Sequence, residues 1–141
     1  MGISSRHYRA LAEFRYQIRR FLYFSERAAQ AAGIEPQQHQ LLLVVKAFTA
    51  SHDGPTIGYI AERLQVRHHS AVELVDRLES TGAIKRQAGA EDKREVWIRL
   101  TAAGRALLGK LAVAHRNELK KSGPELARAL QLVVRQGRTA A

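Results

Sequence analysis

Apolar residues recur at three- and four-residue steps near both ends of the chain, a spacing that predicts amphipathic helices. The first helix is predicted over residues 5–32, with Gly33 at its end. Pro36 suits the first turn of a second helix, which is predicted over residues 37–49.

Two short helices are predicted next, Ile57–Leu64 and His68–Ser80, and the three residues between them give the spacing of a helix-turn-helix. The second short helix divides into an inward apolar stripe and an outward polar face. The stripe comprises Ala71, Leu74, Val75 and Leu78, and the outward face comprises His69, Ser70, Glu73, Asp76 and Arg77. Gly82 supplies the left-handed residue expected after such a helix.

The hydrophobic period then changes to two, as in a half-buried strand. One side of this strand carries Val96, Ile98 and Leu100, and the other carries Glu95, Trp97 and Arg99. Residues 84–87 can pair with it, and Gly89 relaxes the backbone near the turn. The pattern therefore predicts a β-hairpin with a charged tip.

Thr101 is expected to cap a helix that runs to about Lys121, and residues 122–124, Ser-Gly-Pro, are expected to break it. A last helix is predicted over residues 125–136, followed by a frayed tail. Both ends of the chain carry more apolar surface than so small a core can cover. This surplus indicates burial against a second copy of the chain.

Lysine and arginine total 23 against 13 acidic residues, a net charge of +10 that attracts polyanions such as double-stranded DNA. A basic protein without a nucleic-acid partner is the alternative. The absence of cysteine excludes disulfides, cysteine-based zinc sites and thiol redox sensing within the chain. No apolar run approaches the ~20 residues of a membrane span, and the N-terminus lacks a signal-peptide core. A cytoplasmic protein without a membrane partner is expected.

The predicted fold is mainly α with a small β-hairpin wing: a winged helix-turn-helix core flanked by long N- and C-terminal helices. Residues 56–104 resemble the MarR family of bacterial winged-helix transcriptional regulators, and the flanking helices match in length and place. The matching runs are 60–64, 74–79, 82–86, 91–94 and 100–104. The most specific part is an Asp-x-Arg tip followed by an alternating strand and Leu-Thr-x-x-Gly.

The resemblance implies one domain over residues 1–141, with a DNA-binding lobe at 36–104 and dimerisation helices at 1–35 and 105–141. It implies a homodimer whose two lobes bind a pseudo-palindromic operator in a sequence-specific way. For most members it also implies repression of transcription that is relieved by a small phenolic or anionic effector.

The resemblance places Arg94, at the hairpin tip, in the minor groove of DNA, where narrow A·T-rich stretches attract cations. Asp92 is expected to pair with an arginine and hold the tip in shape. The alternative for this turn is a solvated group of charges with little energetic effect.

The outward face of the second short helix is expected to meet the major groove, through His69, Ser70, Glu73 and Arg77. The alternative is an exposed face with an internal Glu73–Arg77 pair. Flanking residues are candidates for contacts to the DNA around this face, or else they only confer solubility: Arg67, His68, Lys85, Arg86 and Lys93.

Tyr23, His39 and Lys46 are the candidates for an effector pocket, although the aromatic residues of the first helix fit core and dimer packing at least as well. His68 and His69 diverge by about 100° around their helix, so no metal site is predicted. No cofactor is expected.

Two positions depart from the usual pattern. Arg67 stands where related proteins often have a Ser or Thr cap, and Gln65 stands where helix-turn-helix turns often have glycine. Two other functional classes stay open: a winged-helix module that binds proteins, and a basic protein that binds nucleic acid without sequence preference. An enzyme is not indicated, because the chain has no nucleophile–base pair, carboxylate dyad or phosphate-binding glycine loop.

Overall fold

The computed structural model describes residues 2–50 and 53–139, without the side chains of 137–139. This part of the chain forms five α-helices and one antiparallel pair of strands. In chain order the elements are α1 (Ser5–Ala31), α2 (Pro36–Ala47), α3 (Ile57–Leu64), α4 (His68–Ser80), β1 (Ile84–Ala88), β2 (Val96–Leu100) and α5 (Ala102–Thr139). The predicted fold class, a winged helix-turn-helix with long terminal helices, is confirmed.

The described chain divides into two compact units. Unit 1 contains α1 as far as Ala28 together with α5 from Val113 onward, and unit 2 contains Ala29–Ala112. None of the helices in the described residues combines the length and the apolarity needed to cross a membrane.

The helix ends in unit 2 follow the local signals in the sequence. Gly33 and Gly82 have φ angles of +85° and +84°, as expected of residues that terminate helices. The amide of Ala83 then donates to the carbonyl of Leu78 at 3.0 Å, which closes the end of α4. At the start of α2, Pro36 occupies the first turn, and Glu35 and Gln38 form a capping box.

One hydrophobic core holds unit 2 together. The inward stripe of α4 is buried as predicted, with Leu74 5% exposed and its other three members fully buried. The remaining large residues of this core come from α2, α3, the hairpin and the start of α5, and they include Leu41, Leu42, Ile60, Ile84, Ile98 and Leu108. Because the stripe is buried, the opposite face of α4 is left to solvent.

The hairpin pairs β1 with β2 in the register Ile84↔Leu100 and Arg86↔Ile98. Ile98 and Leu100 are buried, as the alternation predicts, whereas Val96 is 41% exposed because it lies toward the tip, beyond the core. The amide of Ile98 also donates to the carbonyl of Pro55 at 2.9 Å, so the loop before α3 joins the outer edge of β2.

The hairpin base and the start of α5 meet at one junction. The amide of Thr101 donates to the carbonyl of Ala83 at 3.0 Å, and its hydroxyl accepts from the amide of Gly104 at 3.1 Å. The same hydroxyl donates to the carbonyl of Gly82. Thr101 thus caps α5, as predicted. A Cβ at Gly104 would overlap the Ala83 carbonyl, so α5 can pack this closely only with glycine there.

Unit 1 is a pair of antiparallel helices. The Nε2 of His7 lies 3.3 Å from the carbonyl oxygen of Gln136, Arg20 forms an ion pair with Glu125 at 3.0 Å, and the Nε2 of His115 lies 2.8 Å from the hydroxyl of Ser25. Few side chains are fully enclosed along this pair: the buried positions are Ala10, Gln17, His115 and Ala129.

The predicted break at residues 122–124 is wrong, because α5 is one helix of 38 residues with Pro124 inside it. A proline inside a helix forfeits one backbone hydrogen bond, at a cost of about 3 kcal/mol. The helix nevertheless keeps its contacts with α1 beyond the proline, since Glu125 pairs with Arg20 and Ala129 is buried. Residues 2–50 and 53–139 therefore form five helices where the sequence pattern predicts six.

Gly104→Ala is expected to lower the free energy of unfolding by about 2 kcal/mol, because the new methyl group collides with backbone atoms that cannot move aside. Gly109→Ala, in the same helix, is the matched control. No atom lies within 4 Å of a Cβ at Gly109, so the substitution should stabilise the helix by about 0.5–1 kcal/mol. Urea denaturation measures both, and equal effects of the two substitutions would contradict this account of the junction.

Candidate nucleic-acid interface

The turn before α4 is made by a residue in the left-handed conformation. Gln65 has φ 57° and ψ 44°, and its side-chain amide donates to the carbonyl of Glu62 at 2.9 Å. The amide of Val66 donates to the carbonyl of Ala61 at 3.0 Å. Gln65 thus performs the role for which glycine is usual. The N-cap of α4 is Arg67, whose side chain makes no capping hydrogen bond.

The outward face of α4 carries the predicted contact residues on one surface. Arg67, His68, His69 and Glu73 are exposed and Ser70 is half-buried. Arg67 occupies the N-cap position of α4, and its side chain makes no capping hydrogen bond. Helix N-termini and basic side chains both favour phosphate groups, and polar side chains in the next turn suit base edges. This end of α4 therefore has the chemistry of a major-groove contact.

Arg77 lies on one flank of the same face. It forms an ion pair with Glu35 at 3.6 Å, and both side chains are more than half exposed. The partner is thus the residue before α2 and not Glu73, which the sequence offered as the alternative. A pair this exposed is weak in water, so Arg77 can exchange Glu35 for a phosphate or a base.

The tip of the wing presents Arg94 to solvent, with its side chain 92% exposed. Asp92 accepts hydrogen bonds from the backbone amide of Arg94 at 3.0 Å and from its Nε at 3.3 Å. The carboxylate therefore fixes the turn and the base of the arginine side chain, as expected of Asp92. The guanidinium end projects outward, and Lys93 beside it is exposed too.

Gly89 is required at the tip for space, which differs from the predicted role of relaxing the backbone. A Cβ at this position would come within 2.5 Å of the indole Nε1 of Trp97 and 2.7 Å of the carbonyl oxygen of Asp92. The indole of β2 thus packs directly on the backbone of the turn. The sequence shows the glycine and the tryptophan, but it does not show that they touch.

On the outer face of the hairpin, Lys85 lies directly across the strands from Arg99, and both are exposed. Like charges in cross-strand positions repel one another, so an anion beside them would be stabilising. Arg99 is not among the predicted contact residues. The sequence pattern does predict its exposure, because the alternation of β2 places Arg99 on the outward side.

Arg86 has a different environment from the other basic candidates. Its guanidinium forms ion pairs with Asp76 and with Glu79, and its side chain is only 29% exposed. Hydrogen bonding to Asp76, followed by the interaction with Glu79, raises the pKa of Arg86 above its ordinary value, against the opposing effect of burial. Among the predicted phosphate contacts, Arg86 is thus the one whose charge is already balanced within the protein.

The three candidates for an effector pocket have different surroundings. Tyr23 belongs to unit 1, where its ring packs under the guanidinium of Arg27 at 5.5 Å. His39 is buried in α2, and Lys46 lines a groove of about 160 Å³ in unit 2. His39 is not among the residues that line this groove. The basic residues around it are Lys46, Arg99 and Arg105.

Within residues 2–50 and 53–139, no three side chains of His, Asp or Glu come together as possible metal ligands.

Two short helices of a helix-turn-helix followed by a two-stranded hairpin define a winged-helix protein. The sequence pattern of the MarR family matches residues 32–95. The fold is therefore that of a winged-helix protein, and residues 32–95 within it are similar to the MarR family. No protein with a curated description matches the chain.

Solved structures share this fold at low sequence identity. MepR, a transcription regulator of the Staphylococcus aureus multidrug efflux pump MepA, is 21% identical with a TM-score of 0.71, covering 90% of this chain and 93% of MepR. A MarR mutant from E. coli, solved with operator DNA, is 20% identical with a TM-score of 0.66, covering 86% and 88%. CouR from Rhodococcus jostii RHA1, bound to p-coumaroyl-CoA, is 21% identical with a TM-score of 0.64, covering 72% and 68%.

Gly89→Ala is expected to displace the indole of Trp97 and shift its fluorescence emission to longer wavelength, because the ring leaves its packed position on the turn. The signal is clean, since Trp97 is the one tryptophan of the chain. Gly58→Ala is the control: the nearest atom to its Cβ is the Thr56 hydroxyl at 3.9 Å, and emission should stay unchanged. An unchanged spectrum for Gly89→Ala would mean that the turn tolerates a side chain there.

Proposed function

We propose that the protein is a homodimeric, sequence-specific DNA-binding regulator that represses transcription by occupying a pseudo-palindromic operator. The observation that carries the proposal is the pairing of two DNA-directed features in unit 2. One is the polar outward face of α4, and the other is the wing tip with Arg94 almost fully exposed. A net charge of +10 supports attraction to DNA.

Each feature fits a different groove. The side chains of His69, Ser70 and Glu73 offer donors and acceptors at the spacing of helical turns, which suits base edges in the major groove. Arg94 extends from a turn that Asp92 holds rigid, which suits insertion into a narrow minor groove. Lys85, Lys93 and Arg67 are exposed cations that would neutralise phosphates around these contacts.

The composition of unit 1 supports dimerisation. Of the thirteen large hydrophobic residues that are exposed in the described chain, eleven lie in unit 1: Ile3, Tyr8, Leu11, Tyr16, Leu22, Tyr23, Val113, Leu119, Leu130, Leu132 and Val134. Two helices cannot enclose their own apolar stripes, so this surface needs a further layer. A second copy supplies it, and a two-fold dimer carries two recognition helices for half-sites about 34 Å apart.

A response to a small effector is the remaining part of the proposal. CouR, which has this fold, binds p-coumaroyl-CoA. In this chain the surface of the groove beside Lys46 is mainly polar and includes the cations of Arg99 and Arg105, which suits a small anion. Neither Tyr23 nor His39 lines this groove, and their part in effector binding stays a prediction. Binding would lower operator affinity through a coupling of about 1–3 kcal/mol.

Arg94→Ala should weaken operator binding about tenfold or more, because the minor-groove contact is lost while the folded chain keeps its core. Duplexes from the DNA upstream of the protein's own gene serve as probes in gel shifts at physiological salt, with excess random duplex as competitor. Lys110→Ala is the control, since it removes one exposed positive charge from α5. Equal affinity of Arg94→Ala and wild type would remove the wing from the mechanism.

The same competition distinguishes the functional classes. Complexes that survive excess random duplex indicate sequence-specific binding, and complexes that dissolve indicate a general affinity for nucleic acid. If no duplex binds at all, the protein-binding module becomes the better interpretation.

Leu130→Glu should convert the dimer to a monomer at micromolar concentration, because it places a charge in the apolar surface of unit 1. Leu43→Glu, on α2 in unit 2, is the matched control, since Leu43 is 49% exposed and Leu130 is 45% exposed. Small-angle scattering gives the molecular mass of each. A monomeric wild type would refute the proposed dimer.

A further inference from the structure

The residues Asp76, Glu79 and Arg86, here called the Arg86 cluster, join α4 to the wing. The NH2 group of Arg86 donates to the carboxylate of Asp76, and its NH1 group donates to Oε1 of Glu79. The other oxygen of Glu79, Oε2, accepts the backbone amide of Arg86 at 3.1 Å. Glu79 therefore holds both the side chain and the main chain of one residue in β1.

The Arg86 cluster lies between the buried base of the hairpin and its exposed tip. Ile84, Arg86 and Ala88 lie on the same face of β1, and their burial falls from buried through half-buried to exposed. Arg86 is thus the outermost residue of that face that is not exposed, and it contacts α4 through Asp76 and Glu79. Beyond it, the strands continue to the tip with Val96 and Ala88 exposed.

A two-stranded hairpin has little rigidity of its own, because an isolated pair of strands is marginally stable in water. Its direction must therefore be set by what holds its base. On the core side that is the burial of Ile84, Ile98 and Leu100. On the side toward α4, the Arg86 cluster holds the base of the hairpin. The cluster contacts the same helix whose outward face is directed at DNA, so it couples the two contact surfaces.

We propose that Arg86 is a positioning residue that fixes the direction of the wing relative to α4 by bridging Asp76 and Glu79, so that Arg94 and the outward face of α4 engage one duplex together. This inference rests on the proposed DNA-binding function. It assigns Arg86 a different role from the phosphate contact that its charge alone indicates.

The charge of the cluster favours positioning over phosphate contact. One guanidinium between two carboxylates has a net charge of −1, and such a group gains nothing from proximity to a polyanion. The guanidinium has planar donors that reach two carboxylates at once, which a lysine ammonium cannot match in geometry. Substitution of Glu79 and conservative substitution of Arg86 therefore distinguish the two roles.

The experiment measures operator and random-duplex affinities of wild type, Glu79→Gln, Arg86→Lys and Glu62→Gln by fluorescence anisotropy. Glu62→Gln is the charge-matched control, because Glu62 is exposed on α3 and its side chain has no ion pair in the described part of the chain. Circular dichroism and urea midpoints verify that each variant is folded. Asp76→Asn, at the more exposed end of the cluster, replaces Glu79→Gln if that variant fails to fold.

Glu79→Gln is expected to weaken operator binding about tenfold and to leave random-duplex binding within about twofold of wild type, so that selectivity falls. If Arg86 instead contacted a phosphate, Glu79→Gln would strengthen operator binding. Loss of the carboxylate would leave Arg86 available to the phosphate and remove a repulsion between Glu79 and the DNA. The operator affinity of Arg86→Lys should fall by a similar factor, whereas a lysine at this position would keep a phosphate contact. Glu62→Gln should bind no more weakly than wild type.

The positioning role is overturned if Glu79→Gln binds the operator as tightly as wild type or more tightly, or if Arg86→Lys matches wild type. A wild-type protein that shows no selectivity among duplexes bears on a different proposal. That result overturns the proposal of sequence-specific DNA binding, and the proposed role of Arg86 is then lost as well.

Discussion

The structure of unit 2 depends on the contact between Ala83 and the start of α5. Ala83 closes the end of α4 through its amide and accepts the amide of Thr101 through its carbonyl. Thr101 in turn caps α5 and bonds to Gly82. The end of α4, the start of β1, the end of β2 and the start of α5 therefore lie within a few residues of this contact. The absence of a side chain at Gly104 is the condition for this approach, since any Cβ would occupy the position of the Ala83 carbonyl.

The sequence predicts most of this architecture because its signals are local. The turns at Gly33 and Gly82, the buried stripe of α4 and the alternation of β2 each follow from residues within one or two turns of the backbone. The continuity of α5 does not follow, because the Ser-Gly-Pro signal at 122–124 is opposed by contacts with α1, about 100 residues earlier in sequence. Local propensity is a weak guide where such packing competes with it.

Some features of the candidate site could likewise be predicted from the sequence, and others could not. The exposure of Arg99 and of most outward residues of α4 could be derived from periodicity, and that of Lys93 and Arg94 from the charged turn in which they lie. The partners of Arg86 could not, because they depend on how the hairpin lies against α4. The sequence gives the sign of each charge but not its nearest neighbour, and the neighbour decides whether an arginine is available to a ligand.

The antiparallel pairing in unit 1 has a consequence for how the chain folds. The contact of His7 with Gln136 spans 129 positions, so it closes a loop of nearly the whole polypeptide. Closure of a long flexible loop is entropically costly, and contacts of this range slow folding. Unit 2, by contrast, is one continuous segment, Ala29–Ala112, rich in neighbouring contacts. Assembly of unit 2 shortens the effective loop that the pairing of α1 with α5 must close.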